Sequence, residues 1–135
     1  MASLRSKVET ALVSALSGLG ADVYPGIASD DKVLPLITVR AVSAVSDFHN
    51  GQGLANGNFV VTVELTVRDR AATDSTFDDI CLAVRGVVQT DEFPASLTSA
   101  GFTVFGVAGL DRVEWGTDGE AWTETRTMEI ACCES

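Results

Sequence analysis

The sequence predicts a single α+β domain, residues 1–135, in which a mainly antiparallel sheet of about four strands carries two helices packed on one face. Two segments repeat apolar residues at three- and four-residue steps, which is the period of a helix buried on one side. Four others are rich in β-branched residues or alternate apolar with polar residues, as strands do. The order is helix, short extended piece, two strands, helix, two strands.

Helical periodicity defines the two helices. The first can begin at Ser3 as its cap and end at Gly18 or Gly20. Its apolar stripe consists of Leu4, Val8, Ala11, Leu12, Ala15, Leu16 and Leu19. The second can begin at Asp74 or Ser75, and its stripe consists of Phe77, Ile80, Cys81, Val84 and Val88. Each stripe indicates a helix that buries one face.

The strands are predicted from β-branched composition and from alternation. Segment 34–45 is β-branched and follows a short extended piece with a Pro-Gly turn. Segment 58–70 alternates most clearly, which predicts one face in the core and the other largely in water. Segments 102–115 and 121–133 complete the set, and the Asp118-Gly119 pair between them is a strong turn signal.

The charge balance argues against nucleic acid as a tightly bound ligand. The chain carries 19 acidic and 9 basic residues, a formal net charge of -10 at pH 7, and the basic residues are scattered. Binding to DNA rests on clustered Lys and Arg that neutralise phosphates. The sequence also lacks the run of about 18 apolar residues that a membrane span needs, and the apolar core of a signal peptide. We therefore expect a protein of the cytosol.

No motif in the sequence indicates catalysis, a cofactor or a metal. His49, the single histidine, lies two residues from Asp47, but neither a nucleophile nor an orienting group accompanies it. The glycines of "GQGLANG" precede a strand, so no helix N-terminus is present to bind a phosphate. The cysteines Cys81, Cys132 and Cys133 lack the spacing of a disulfide framework or a zinc site, which favours reduced thiols.

The segment "DFHNGQGLANGN", residues 47–58, allows three interpretations: an active-site loop around His49, a solvated connector, or a segment ordered by a partner. Ordering its backbone costs about 1 to 2 kcal/mol per residue, and few apolar side chains offset that cost within one subunit. Loops that carry function without catalytic groups commonly serve recognition. We predict an assembly interface here, with the candidate residues Phe48, His49, Asn50, Gly51, Leu54 and Asn56.

Short groups of residues, and the order of the segments around them, carry a family resemblance. The most characteristic residues are Tyr24, Pro25 and Gly26, followed by Leu34 and Pro35 at the start of a strand. The aliphatic strand that runs into "DRAATDSTFDDI" adds a strand, a short linker and a helix. Over nearly the whole chain this arrangement resembles the tail terminator or tail completion proteins of long-tailed bacteriophages. The C-terminal "ACCES" departs from many of them.

The resemblance implies a structural virion protein without catalytic residues or cofactor. Proteins of this family assemble as rings, commonly of six copies, on the head-proximal end of the tail tube. The ring stops tube growth and offers the surface on which the head connector docks. The implied partners are further copies of the chain, the tail tube protein and the head connector or neck protein, while DNA passes through the ring without specific binding.

Two alternatives remain open. Another component of the head-to-tail neck, such as a head-completion protein, shares the small size, the acidity and the ring formation. From a different class, a small enzyme or ligand-binding domain would use the loop around His49.

Overall fold

The computed structural model describes residues 3–26, 34–46, 58–70, 74–90, 92–118 and 121–134. The helices in chain order are α1 (Leu4–Leu16), α2 (Asp74–Val88) and α3 (Glu92–Ala95), and a 3₁₀ turn (Ser96–Ala100) follows α3. The strands are β1 (Asp22–Pro25), β2 (Leu36–Ser46), β3 (Asn58–Arg70), β4 (Phe102–Asp118) and β5 (Ala121–Glu134).

The sheet is mixed and larger than predicted. Its strands lie in the order β1-β2-β3-β5-β4, with β1 parallel to β2 and the other neighbours antiparallel. The register of β4 against β5 shifts between Val107 and Asp111. When β4 is counted as two strands, one on each side of this shift, the sheet has six strands. The prediction of about four mainly antiparallel strands with two helices is therefore wrong. Within the described ranges, the extended piece after α1 joins the sheet as β1, and the connector after α2 forms α3.

The start of α1 follows from its cap. The Oγ of Ser3 accepts the backbone N–H of Ser6 at 3.2 Å, which satisfies one of the free donors of the first turn. Beyond the last turn, Gly18 has a φ of 84°, a conformation that glycine adopts without strain. Between these ends, Val8 and Leu12 are completely buried, so the apolar stripe faces the core.

The core lies between the helices and one face of the sheet. Along β3, the odd-numbered residues from Phe59 to Asp69 are buried and the even-numbered ones before Arg70 are half-buried. The ring of Phe59 packs edge to face against Phe102, with centroids 6.1 Å apart. The same buried cluster includes Leu12 of α1 and Val84 of α2. Both long helices therefore cover the same face of the sheet.

A buried carboxylate holds β2 where its register shifts. Glu9 of α1 is only 4% exposed, and its Oε2 accepts the backbone N–H of Ala41 at 2.9 Å. The register of β2 against β3 shifts between Ala41 and Ser43, as at a β-bulge. The pairing of β1 with β2 ends at Val39. The carboxylate of Glu9 therefore binds a backbone N–H of β2 just beyond the end of that pairing.

Candidate functional site

The loop predicted as an assembly interface lies outside the described residues. The structure describes β2 up to Ser46 and β3 from Asn58, and Ser46 lies opposite Phe59 in the antiparallel pair. The ends of the loop are thus placed side by side at one end of the sheet. The predicted role stays a prediction for its candidate residues, which are Phe48, His49, Asn50, Gly51, Leu54 and Asn56.

Two of the three thiols, those of Cys81 and Cys132, are buried. Cys81, Cys132 and Cys133 are free cysteines. Cys132 lies opposite the buried Phe59, and its neighbour Cys133 lies on the other face of the sheet. Burial, and then the proximity of Cys133, raise the pKa of Cys132 to about 11, so its thiol is protonated at neutral pH. Among the residues with described positions, no group of three or more His, Cys, Asp or Glu is arranged to hold a metal ion.

The face of the sheet that points away from the helices is polar. The hydroxyl oxygens of Thr66 and Thr125 lie 3.3 Å apart on neighbouring strands. An ion pair joins Arg40 Nη1 to Glu64 Oε1 at 3.6 Å. By the strand register, the same face also carries Thr38, Thr62, Thr123, Thr127 and Glu129. No helix of the described part of the chain packs on this face.

Strand β4 forms one edge of the sheet, and on its outer side no strand of the described ranges pairs with it. On the polar face of this strand, Arg112 Nε donates to Glu114 Oε1 at 3.0 Å, and Arg112 Nη2 contacts the same oxygen. The hydrogen bond and the charge of Glu114 raise the pKa of Arg112 further above its ordinary value. Both side chains are more than half exposed, so this ion pair lies open to solvent along the edge.

A groove of about 410 Å³ lies between α2 and the helix-covered side of the β4–β5 hairpin. We call it the tryptophan groove. Its lining includes Cys81, Leu82, Arg85, Trp115, Glu124 and Arg126. Tryptophan and arginine are the residue types that most often dominate binding energy in protein interfaces, so the lining is typical of a recognition surface.

A hydrogen bond and an ion pair, both made by Glu124, order the wall of the tryptophan groove. Trp115 Nε1 donates to Glu124 Oε2 at 3.0 Å, and Glu124 Oε1 lies 3.9 Å from Arg126 Nη2. Burial and the neighbouring carboxylate of Glu124 raise the pKa of Cys81 to about 12. A thiol with such a pKa is protonated at neutral pH and is a poor nucleophile. The thiol of Cys81 is therefore a poor candidate for a nucleophile in this groove.

Six large apolar side chains of the described residues are exposed, and they fall into two groups. The first apolar group lies at the tryptophan groove and the nearby end of the hairpin; it consists of Leu82, Trp115 and Trp122, which are 65%, 73% and 42% exposed. The second apolar group consists of Val42, Val45 and Phe105. This second group lies near one end of the sheet. Val45 pairs with Val60, Val60 pairs with Ala131, and Ala131 pairs with Gly106, which follows Phe105. The two groups lie roughly 20 to 25 Å apart along β3.

Sequence reasoning missed the tryptophan groove, because its residues come from α2, β4 and β5 and meet only in the folded chain. The chain matches no model of a known protein family, and a search of curated proteins also finds no match. None of the helices in the described ranges has the length and apolar character needed to cross a membrane.

Proposed function

We propose that this chain is a structural subunit that forms a ring, of six copies, on the head-proximal end of a bacteriophage tail tube. The ring ends the growth of the tube and provides the surface to which the head joins. The proposal begins from the sequence resemblance to tail terminator and tail completion proteins. The structural observation that carries it is the presence of two unlike apolar groups, well separated on one subunit.

Two unlike apolar groups favour head-to-tail assembly. The first apolar group is mainly aromatic and adjoins a groove, whereas the second is mainly aliphatic and lies near the other end of the sheet. A contact between unlike patches is heterologous, and repetition of such a contact closes into a ring when the rotation per subunit divides a full turn. Exposed apolar side chains that gather in a patch commonly mark an interaction surface. Self-assembly uses such patches and needs no catalytic group.

The net charge fits a ring through which DNA passes. Six copies, each with a formal charge of -10, carry 6 × -10 = -60. Each Lys or Arg that contacts a phosphate would release a counterion and favour a complex that holds the DNA. An acidic ring therefore lets DNA move through it, provided that salt screens the repulsion between subunits.

The proposal is tested on phage that lack the protein. We expect electron micrographs to show tails of uncontrolled length that are not joined to heads, and purified wild-type protein should cap isolated tail tubes with a ring. Replacing Trp115 with Ser, or Val45 with Ser, should prevent capping without unfolding the subunit, because both side chains are largely exposed. Thr10→Ala on the exposed side of α1 is the matched control. Normal-length, head-attached tails made without the protein would contradict the proposal.

The alternatives predict different partners. A head-completion protein would bind isolated heads and leave bare tail tubes uncapped. A small enzyme or ligand-binding domain would remain a monomer in the presence of tail tubes and would bind a metabolite. The solution mass of the protein, measured alone and with tail tubes, separates these possibilities.

A further inference from the structure

The two long sides of the sheet are protected differently. On the side of β2, β1 pairs with Leu36 to Val39, and Glu9 then takes the backbone N–H of Ala41. On the side of β4, the described residues supply neither a strand nor a carboxylate that binds the backbone. An edge strand offers a row of N–H and C=O groups that can pair with a strand of another molecule. The outer side of β4 is therefore the edge at which strand addition is possible.

The charges on this edge are self-complementary. Arg112 and Glu114 lie on the polar face on either side of Val113, which lies on the helix-covered face. If β4 pairs antiparallel with β4 of a second copy and the centre is Val113, each Arg112 lies opposite the partner's Glu114. The two-fold symmetry of an antiparallel pair allows a residue to lie opposite its own copy.

The neighbouring registers are disfavoured by charge or by burial. A shift that centres the pair on Arg112 places two arginines opposite each other, and a shift that centres it on Glu114 places two glutamates opposite each other. A shift by one residue places a residue of the polar face opposite one of the helix-covered face. The register centred on Val113 is thus the one that places Arg112 of each copy opposite the partner's Glu114 and keeps the two faces continuous.

We propose that two copies of the free chain form a two-fold dimer by antiparallel pairing of β4 around Val113. On the helix-covered face, Val113 meets the partner's Val113, and the two tryptophan grooves become neighbours. The stretch of β4 with regular pairing around Val113 is short, because the register shifts between Val107 and Asp111. Few hydrogen bonds then join the two copies, so the dimer is weak and forms at high protein concentration. This inference goes beyond the proposed function, since it concerns the free chain. Trp115 lies next to the edge formed by β4, so the dimer competes with a ring contact made through Trp115.

Two charge-reversal variants test whether the two β4 strands face each other across the dimer. Arg112→Glu alone and Glu114→Arg alone each oppose like charges across the dimer, and each also removes the ion pair within one strand. In an equimolar mixture of the two variants, the opposed charges are complementary again, whereas the ion pair within each strand stays broken. Restored dimerisation in the mixture can therefore come only from contacts across the interface.

Sedimentation velocity and native mass spectrometry give the readout. We expect each variant to dimerise about tenfold or more weakly than the wild type, because like charges opposed across strands are destabilising. The mixture should form a one-to-one heterodimer, and Arg5→Glu on α1, the same charge change far from the edge, should dimerise like the wild type. Circular dichroism verifies that the variants are folded.

Three results would overturn the dimer: a wild type that remains monomeric up to millimolar concentration, single variants that dimerise as well as the wild type, or a mixture that stays monomeric while the wild type dimerises. Tail capping is measured separately, on tail tubes, so these results leave the proposed function to its own test.

Discussion

Glu9 offers the sharpest test of how this sheet is held in place. Its carboxylate is 4% exposed and accepts the N–H of Ala41 at 2.9 Å, where the register of β2 shifts. Glu9→Ala removes the acceptor and leaves that buried N–H without it. Glu9→Gln removes the charge but keeps an amide oxygen that can accept the same hydrogen bond. Comparison of the two variants separates the hydrogen bond from the charge.

The expected size of the effect follows from the burial of the contact. A hydrogen bond to a charged group contributes roughly 1.5 to 3 kcal/mol, and a buried donor left without a partner costs about 1 to 3 kcal/mol. These ranges describe the same contact and are not added, so we expect Glu9→Ala to lower the free energy of unfolding by about 2 to 3 kcal/mol. For a domain of this size the loss lowers the melting temperature by roughly 6 to 15 °C. Glu9→Gln should cost about 1 kcal/mol or less.

Urea unfolding followed by circular dichroism at 222 nm measures these differences. Asp79→Ala, which removes an exposed carboxylate of α2 and changes the net charge equally, is the matched control and should stay within about 0.5 kcal/mol of the wild type. If Glu9→Ala is as stable as the wild type, the hydrogen bond does not stabilise the sheet. Equal losses for Glu9→Ala and Glu9→Gln would assign the effect to the charge instead.

The remaining predictions concern a thiol, an aromatic contact and the predicted interface loop. The pKa of Cys81 is raised from 9.0 to about 12 in the folded chain. The stability that the protonated thiol contributes is therefore present below pH 9 and is lost as the pH rises through about 12. Urea unfolding of the wild type and of Cys81→Ser across this pH range measures that loss. Phe102→Ala should lower the free energy of unfolding by about 3 to 5 kcal/mol, measured by urea unfolding, because a fully packed ring is removed. Phe48→Ser combined with Leu54→Ser should lower infectivity, whereas His49→Ala should leave it unchanged; a large loss for His49→Ala with the ring still assembled would instead favour an active site.

The parts of the fold that could be predicted are those with a long local pattern. The stripes of α1 and α2 and the alternation along β3 extend over 13 residues or more, which is enough for periodicity to indicate a buried face. Strand β1 and helix α3 have four residues each, too few for any period. Their structure depends on neighbours distant in sequence, such as the pairing of β1 with β2, and this is why the predicted number of strands and helices is wrong.

The surfaces could not be predicted, because exposure is decided by how the helices cover the sheet. Trp115 and Trp122 lie in strands, where large aromatic residues usually pack in the core. They are exposed because α2 packs mainly on β3 and leaves this part of the hairpin open. In the sequence, Arg112 and Glu114 look like charged residues on the solvent-exposed side of any strand. Only the order of strands in the folded sheet shows that they lie on an edge strand.

The two edges together set the size of the assembly that strand pairing can produce. A sheet with one open edge stops at two copies when that edge pairs with itself, whereas a sheet with two open edges can add copies without limit. Glu9 helps to close the edge of β2 by binding Ala41, so Glu9→Ala should open a second site for strand addition. We expect sedimentation velocity of this variant, under conditions where it is still folded, to show species larger than a dimer that the wild type does not form. A Glu9→Ala protein that is folded and stops at the dimer would show that β1 alone closes this edge.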